Sequence, residues 1–216
     1  IFKKYKSKKN YYDCVIPVSG GGDSFFIVDF VKRVLKANPL LVNYNTHYNS
    51  PVVIYNLSLL RSSFDADFLQ LTVSPTKVKK ITRESLIKMG SIYWHCIAGQ
   101  SVFPVQIAVN YKIPLIIWGA HQGIDQVGMF SHYDQVEMTE KYRKDHDLMG
   151  FNADDLVGEI CSKEDLVDYK YPSQKDINDI GVRGIYLNNY IFWDSYSQHQ
   201  KMDKIGVAKT SVIFDG

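Results

Sequence analysis

Short apolar runs alternate with amphipathic stretches along the first half of the chain. Tyr12-Asp13-Cys14-Val15-Ile16-Pro17-Val18 carries the first run, and Phe25 to Lys36 follows with its apolar positions at helical spacing. Leu40 to Tyr44, Phe68 to Val73 and Pro114 to Trp118 read as three further buried strands. Between them Val52 to Arg61, Thr76 to Lys88 and Gln100 to Tyr111 read as helices, the first two opened by Asn49-Ser50-Pro51 and Ser74-Pro75. This alternation predicts an α/β fold over residues 1–130, a parallel sheet with helices on both faces. Beyond residue 130 the pattern changes. Asp134 to Asp147 predicts a polar helix with Glu137/Lys141 and Glu140/Lys144 pairs, and Asn152-Ala153-Asp154-Asp155 caps another. A loop-rich stretch, Ser173 to Gly184, then leads into the aromatic cluster Gly184 to Asp194. Residues 131–216 are therefore expected to form a mostly helical extension walling the substrate site.

The junction between the first strand and the first helix is Ser19-Gly20-Gly21-Gly22-Asp23-Ser24. Three glycines leave consecutive backbone N–H groups free to curl around an anion, and the following helix points its partly positive end at the same spot. Ser19 and Ser24 add hydroxyls, and Asp23 is placed to hold a metal ion. A Gly-rich hairpin turn is the bland alternative, but a helical pattern follows it rather than a second strand. The loop lacks the Gly-Lys-Ser/Thr ending of a Walker loop and the Gly-x-Gly-x-x-Gly spacing of a dinucleotide fingerprint. Ligands of parallel sheets gather at strand carboxyl ends, so Ser19–Ser24, Asn43–Thr46, Ser74 and Gly119–Asp125 are expected to share one crevice.

Other candidates follow the fourth strand. Gly119 allows close approach of a nucleotide, and His121 and Asp125 would lie beside the loop, Asp125 as a second carboxylate for a metal-bridged triphosphate or as a solvated acid at a helix start. Cys96, next to His95, is a candidate nucleophile or sulfur carrier, or else a packing residue. No Cys-x-x-Cys pair is present, and zinc is not predicted. Tyr186, Tyr190 and Trp193 would stack on a base or sugar, or serve the core.

The 216 residues, 45% of them hydrophobic, suffice for one substantial core with a small appendage. A net charge of +2 argues against nucleic acid as the main partner, and Lys3, Lys4, Lys6, Lys8 and Lys9 read as a solvated terminal cluster. No apolar run approaches the ~18 residues of a membrane span, and three scattered cysteines suggest a reducing, cytoplasmic compartment. The chain opens on Ile1, and Ser211 to Phe214 still reads as strand-like, which predicts a piece of a longer polypeptide.

Ser19-Gly20-Gly21-x-Asp23-Ser24 after a strand resembles the pyrophosphate (PP) loop of the ATP pyrophosphatase superfamily, whose Rossmann-like, adenine nucleotide alpha hydrolase-like domains cleave ATP between the α- and β-phosphates. Trp94-His95-Cys96-Ile97-Ala98-Gly99, the segment from Ile117 to Ser131, Tyr142 to Gly150 and Gly184 to Tyr190 are similar to the N-acetyl sugar amidotransferases of surface-polysaccharide and flagellin-glycan biosynthesis. Many of those relatives carry Lys where Gly22 stands, so one phosphate contact here is weaker or supplied elsewhere. The resemblance implies ATP and Mg2+ as cofactors and Asp23 and Asp125 as metal ligands. It implies conversion of an N-acetyl group on a nucleotide-activated sugar into an acetamidino group. Ammonia would come from a glutaminase subunit working with a cyclase-like partner. No membrane partner is expected, and a homodimer is left open. Two other readings stay open: a tRNA thiolation enzyme using the same ATP chemistry, and a catalytically silent nucleotide-binding scaffold.

Overall fold

The computed structural model describes residues 2–6, 11–120 and 137–209. After a short helix, α1 (Phe2–Tyr5), the chain builds β1 (Cys14–Pro17), α2 (Gly22–Asp29), β2 (Pro39–Tyr44), α3 (Pro51–Phe64), β3 (Phe68–Leu71), α4 (Pro75–Met89), α5 (Trp94–Asn110) and β4 (Leu115–Trp118). α2 runs on into a π-helical turn, Phe30–Val34. The second half holds α6 (Glu140–Tyr142), α7 (Gln174–Ile180), β5 (Arg183–Tyr186) and α8 (Ser195–Asp203), joined through 3-10 turns at Ala153–Leu156, Glu164–Tyr169 and Leu187–Asn189.

The five strands form one parallel sheet in the order β3-β2-β1-β4-β5. The α/β architecture inferred from the alternating pattern is thus the one observed. Successive residues of a strand face opposite sides, and both sides here are covered. Cys14, Ile16, Leu41, Leu115 and Ile117 pack with Phe25, Val28, Leu57 and Leu60 of α2 and α3 on one side. Val15, Leu40, Val42 and Ile116 pack with Phe103, Ile107 and Ala108 of α5 on the other. A third cluster lies beyond the second layer, where Trp94, Ile81, Leu156, Leu166 and Tyr169 are buried together.

The helix signals act as their chemistry predicts. Ser50 Oγ accepts from Val53 N–H at 3.3 Å with Pro51 opening α3, and Gly90 ends α4 in the left-handed conformation. Two expectations change. The segment after residue 131 is not only a helical wall, because β5 completes the sheet beside β4. The polar helix expected over residues 134–147 is one turn, α6, followed by a π-helical turn, Arg143–Asp147. Glu137 does not pair with Lys141. It bridges Ile185 of β5 through the backbone and takes a bidentate hydrogen bond from Arg183. Asp134 lies outside the described residues.

Candidate active site

In the order 3-2-1-4-5 the chain reverses its direction of winding between β1 and β4, and the crevice at such a switch point is where open α/β sheets hold ligands. A cleft of about 300 Å³ opens there. The end of β1 (Pro17, Val18), Ser19, Asp23 and Ser24 form its floor, with Asn43 and Tyr44 of β2 on one flank and Trp118, Gly119 and Ala120 on the other. Gln100, Ser101 and Pro104 of α5 and Tyr186 of β5 close the remaining side.

The loop between β1 and α2 is held in shape by its own serines. Ser19 N–H donates to Ser24 Oγ at 2.9 Å, and the two hydroxyls share a hydrogen bond at 3.3 Å. Gly20 lies in the left-handed region, at φ +81°, where a side chain would be strained and would also meet Leu57 and the Val53 carbonyl at 3.2 Å. The amides of Gly22 and Asp23 open α2, where no intrahelical carbonyl precedes them, so they are natural donors to an anion. Asp23 is half-exposed at the cleft, and its Oδ1 is 2.9 Å from Nε2 of His199 on α8.

Asn43 lines the cleft, yet both ends of its amide are occupied: it donates to the Val18 carbonyl at 2.7 Å and accepts from Gln70 Nε2 at 2.7 Å. It fixes the spacing of the β1 and β2 ends. Gly119 also lines the cleft, where a Cβ would come 3.0 Å from Ile27 Cδ1. The Trp118 indole N–H is buried without a partner among the described residues, at the same wall.

Other expected members fall elsewhere. Cys96 is only 8% exposed and does not line the cleft; burial pushes its thiol up to about 11, opposite to what an activated thiolate needs. Its sulfur lies against His95, which is fully buried and whose pKa burial lowers to about 4. Tyr44 hydrogen-bonds both His95 Nδ1, at 3.2 Å, and the Tyr169 hydroxyl, at 2.6 Å. Ser74 stands at the N-cap position of α4 without a side-chain capping bond and does not line the cleft, and Asn45 lines a separate polar groove with His47, Asn49 and Arg61. Tyr190 donates to Glu137, and Trp193 packs edge-on against Phe26. His121 and Asp125 lie outside the described residues. Tyr44 falls within the Asn43–Thr46 stretch expected at the crevice and does line it, whereas His199 and Gln100 are neighbours that the sequence does not single out. For His199 no local signal exists, since 176 residues separate it from its partner Asp23.

Among the described residues no three His, Cys, Asp or Glu side chains gather as a metal-binding group. Asp23 nevertheless suits Mg2+, which is commonly held by one or two carboxylates together with substrate phosphates rather than by an all-protein cage.

No family model matches the chain, and no curated protein matches it. Among solved structures it is similar to an NH3-dependent NAD synthetase from Campylobacter jejuni, determined with a nitrate ion, at 14% identity and a TM-score of 0.48, over 96% of this chain and 73% of that one. It is also similar to an NMN synthetase from Francisella tularensis at 13% identity and a TM-score of 0.41, over 94% of this chain and 89% of that one.

Proposed function

We propose that the protein is an ATP-dependent amidotransferase of the PP-loop type, forming AMP and pyrophosphate. On this reading it converts an N-acetyl group of a nucleotide-activated sugar into an acetamidino group in surface-glycan biosynthesis. The observation that carries the nucleotide half is the Ser19–Ser24 loop, a glycine-shaped turn and a helix start at the switch point of a parallel sheet, whose Ser19, Asp23 and Ser24 line the cleft while Gly20, Gly21 and Gly22 do not. The sugar half rests on the sequence resemblance, above all the segment from Trp118 to Gly150.

The chemistry follows from placing the outer two phosphates on the Gly22 and Asp23 amides. The α-phosphorus is then the one presented to the cleft. The acetamido oxygen attacks it, pyrophosphate leaves, and a poor leaving group has become AMP. Ammonia, supplied by a glutaminase partner, attacks the activated carbon and AMP departs, leaving the amidine. Asp23 would hold Mg2+, with Asp125 as the second carboxylate that the resemblance implies, and the ion when bound would neutralise charge on the triphosphate. The apolar side of the cleft, Ile27, Ile97 and Pro104, limits access of water to the activated amide. Cys96, buried with a raised pKa, gives sulfur transfer to tRNA no thiolate at the cleft.

The test is pyrophosphate release from ATP with ammonium and a panel of UDP-linked N-acetylated sugars, with products weighed by mass spectrometry. Conversion of an amide to an amidine lowers the product mass by about one unit, since NH replaces O. Sugar-dependent release with that product is expected. Stimulation by tRNA instead of sugar would point to thiolation, and no release with any acceptor would leave the scaffold reading. Asp23→Asn should cut turnover by about a hundredfold or more while the melting temperature stays close to wild type, because the side chain is half-exposed.

A further inference from the structure

We infer that His199 of α8 is a positioning residue of the phosphate loop, holding the Asp23 carboxylate, and that Gly22 is a glycine in order to admit its ring; this rests on the loop binding magnesium and phosphate as proposed above. A carboxylate has no proton to give, so across the 2.9 Å contact Nε2 of His199 is assigned as the donor and Asp23 Oδ1 as the acceptor. Oδ2 has no hydrogen-bond partner among the described residues, which leaves one carboxylate oxygen oriented and available to a cation. Histidine–carboxylate contacts that fix a metal-holding group matter to affinity even though they do not touch the metal.

A half-exposed His–Asp pair on a surface would by itself mean little. The glycines distinguish the two cases. Gly20 is required by its left-handed backbone, and at Gly21, chain neighbours aside, the Ser19 hydroxyl at 3.5 Å is the one atom among the described residues within 4 Å of where a Cβ would stand. Gly22 lies at the start of α2 with no left-handed φ, a place where alanine would favour the helix. A Cβ there would come 2.5 Å from His199 Cδ2 and 2.8 Å from Nε2. The third glycine of the loop is therefore matched to the histidine and not to the backbone.

The histidine is also carried on a fixed support. α8 packs along α2 with Met202 and Gln198 buried, and Asp194 caps it by accepting from Ser197 N–H at 3.2 Å. Just after α8 the chain returns to the loop: the buried Asn56 side chain donates to both the Gly20 and Ala208 carbonyls at 3.0 Å and accepts from Ala208 N–H at 2.9 Å. One asparagine thus ties the segment bearing His199 to the backbone of the phosphate loop.

The experiment is calorimetric titration of the full chain with inorganic pyrophosphate and magnesium, comparing wild type with His199→Ala, His199→Gln, Gly22→Ala and the Gly22→Ala/His199→Ala double variant. His199→Ala is expected to weaken binding about tenfold. His199→Gln, whose amide can donate where Nε2 does, should recover most of it. Gly22→Ala should weaken binding in the wild-type background and cost little more once the ring is gone, the non-additivity expected of side chains in contact. Unchanged or tighter binding by His199→Ala, or no recovery in His199→Gln, would overturn the inference, tighter binding by showing that the ring obstructs the loop. Strictly additive Gly22 and His199 effects would overturn it as well. Failure of the wild type to bind magnesium pyrophosphate would instead overturn the phosphate-loop reading, and this inference with it.

Discussion

His95 shows what burial does to a single residue at the edge of the site. The ring has no exposed surface and sits among Tyr44, Tyr48 and Cys96, so its charged form is disfavoured and its pKa falls from 6.5 to about 4, burial contributing most and the neighbouring His47 adding to it. A group whose folded pKa is depressed stabilises the fold fully above its unfolded pKa and loses that contribution as pH falls through the folded value. The window here is pH 6.5 down to 4. Between pH 7.5 and 4.5 the loss is roughly 2–3 kcal/mol from this one ring. Urea unfolding of wild type and His95→Gln at both values checks it: the wild type should lose that much more stability on acidification than the variant does, whatever the variant's own stability at neutral pH. Equal losses would mean that the ring is not held neutral. Cys96, beside it, has its thiol raised to about 11, so Cys96→Ser should change pyrophosphate release less than about threefold, and alkylation of Cys96 should remain slow until the pH is well above 9. Complete loss of activity in Cys96→Ser would revive covalent chemistry at this position.

At the scale of elements, α5 joins this buried cluster to the cleft. Gly99 lies where α5 crosses the end of β2, and a Cβ on it would stand 2.5 Å from the Tyr44 ring. Gly99→Ala should push that ring aside, strain its hydrogen bonds to Tyr169 and His95, and cost about 1–3 kcal/mol in chemical denaturation. Because Tyr44 lines the cleft, the same variant should weaken ATP binding, while an unchanged denaturation midpoint would show that α5 can retreat freely. The sequence pattern predicts this helix from Gln100, whereas it starts at Trp94: a mid-helix glycine looks like a break in the sequence, and its reason is a tyrosine 55 positions earlier. The first four strands and the helices α2 to α4 were legible because their signals are local, in apolar runs, Ser-Pro starts and the αL stop at Gly90. β5 was not. Arg183-Gly184-Ile185-Tyr186 has one charged residue and one glycine in four, and it is extended because β4 offers it a register, Leu115 opposite Arg183 through Trp118 opposite Tyr186. The polar helix is shorter than its pattern predicts for the complementary reason: Glu137 satisfies itself on Arg183 and Tyr190, across the fold, before a helical partner can claim it. For the site, Ser19, Asp23, Ser24, Asn43 and Gly119 could be placed on one crevice from strand ends alone. Tyr186, expected to stack on a base or sugar or to serve the core, does line the cleft, but His199 has no such signal, since only the return of the distant second half brings it there.

For the molecule as a whole, that return is the main organising step. The loop, the cleft floor and both flanks are complete by Ala120, yet the far wall comes from β5 and the contact to Asp23 from α8. The chain that has added its last strand at the edge of the sheet passes back over α2 and is pinned at Ala208 by Asn56, itself 3% exposed on α3 and bonded to the Gly20 carbonyl. Asn56→Ala would remove three hydrogen bonds at once and leave the Gly20 carbonyl short of a donor, at a cost of about 2 kcal/mol. The physical consequence should be local before it is global. Residues 204–209 carry exposed lysines, Lys204 and Lys209, and opening of that segment makes them substrates for trypsin. Limited proteolysis should therefore cut Asn56→Ala after Lys204 and Lys209 at about ten times the wild-type rate or faster, with the remaining sheet domain resisting at first. Magnesium pyrophosphate should slow that cleavage in the wild type, because a ligand that binds the closed loop stabilises the segment fastened to it. Equal cleavage of the two proteins would show that the carboxyl-terminal segment is held by α8 packing alone, and that the asparagine does not couple it to the loop.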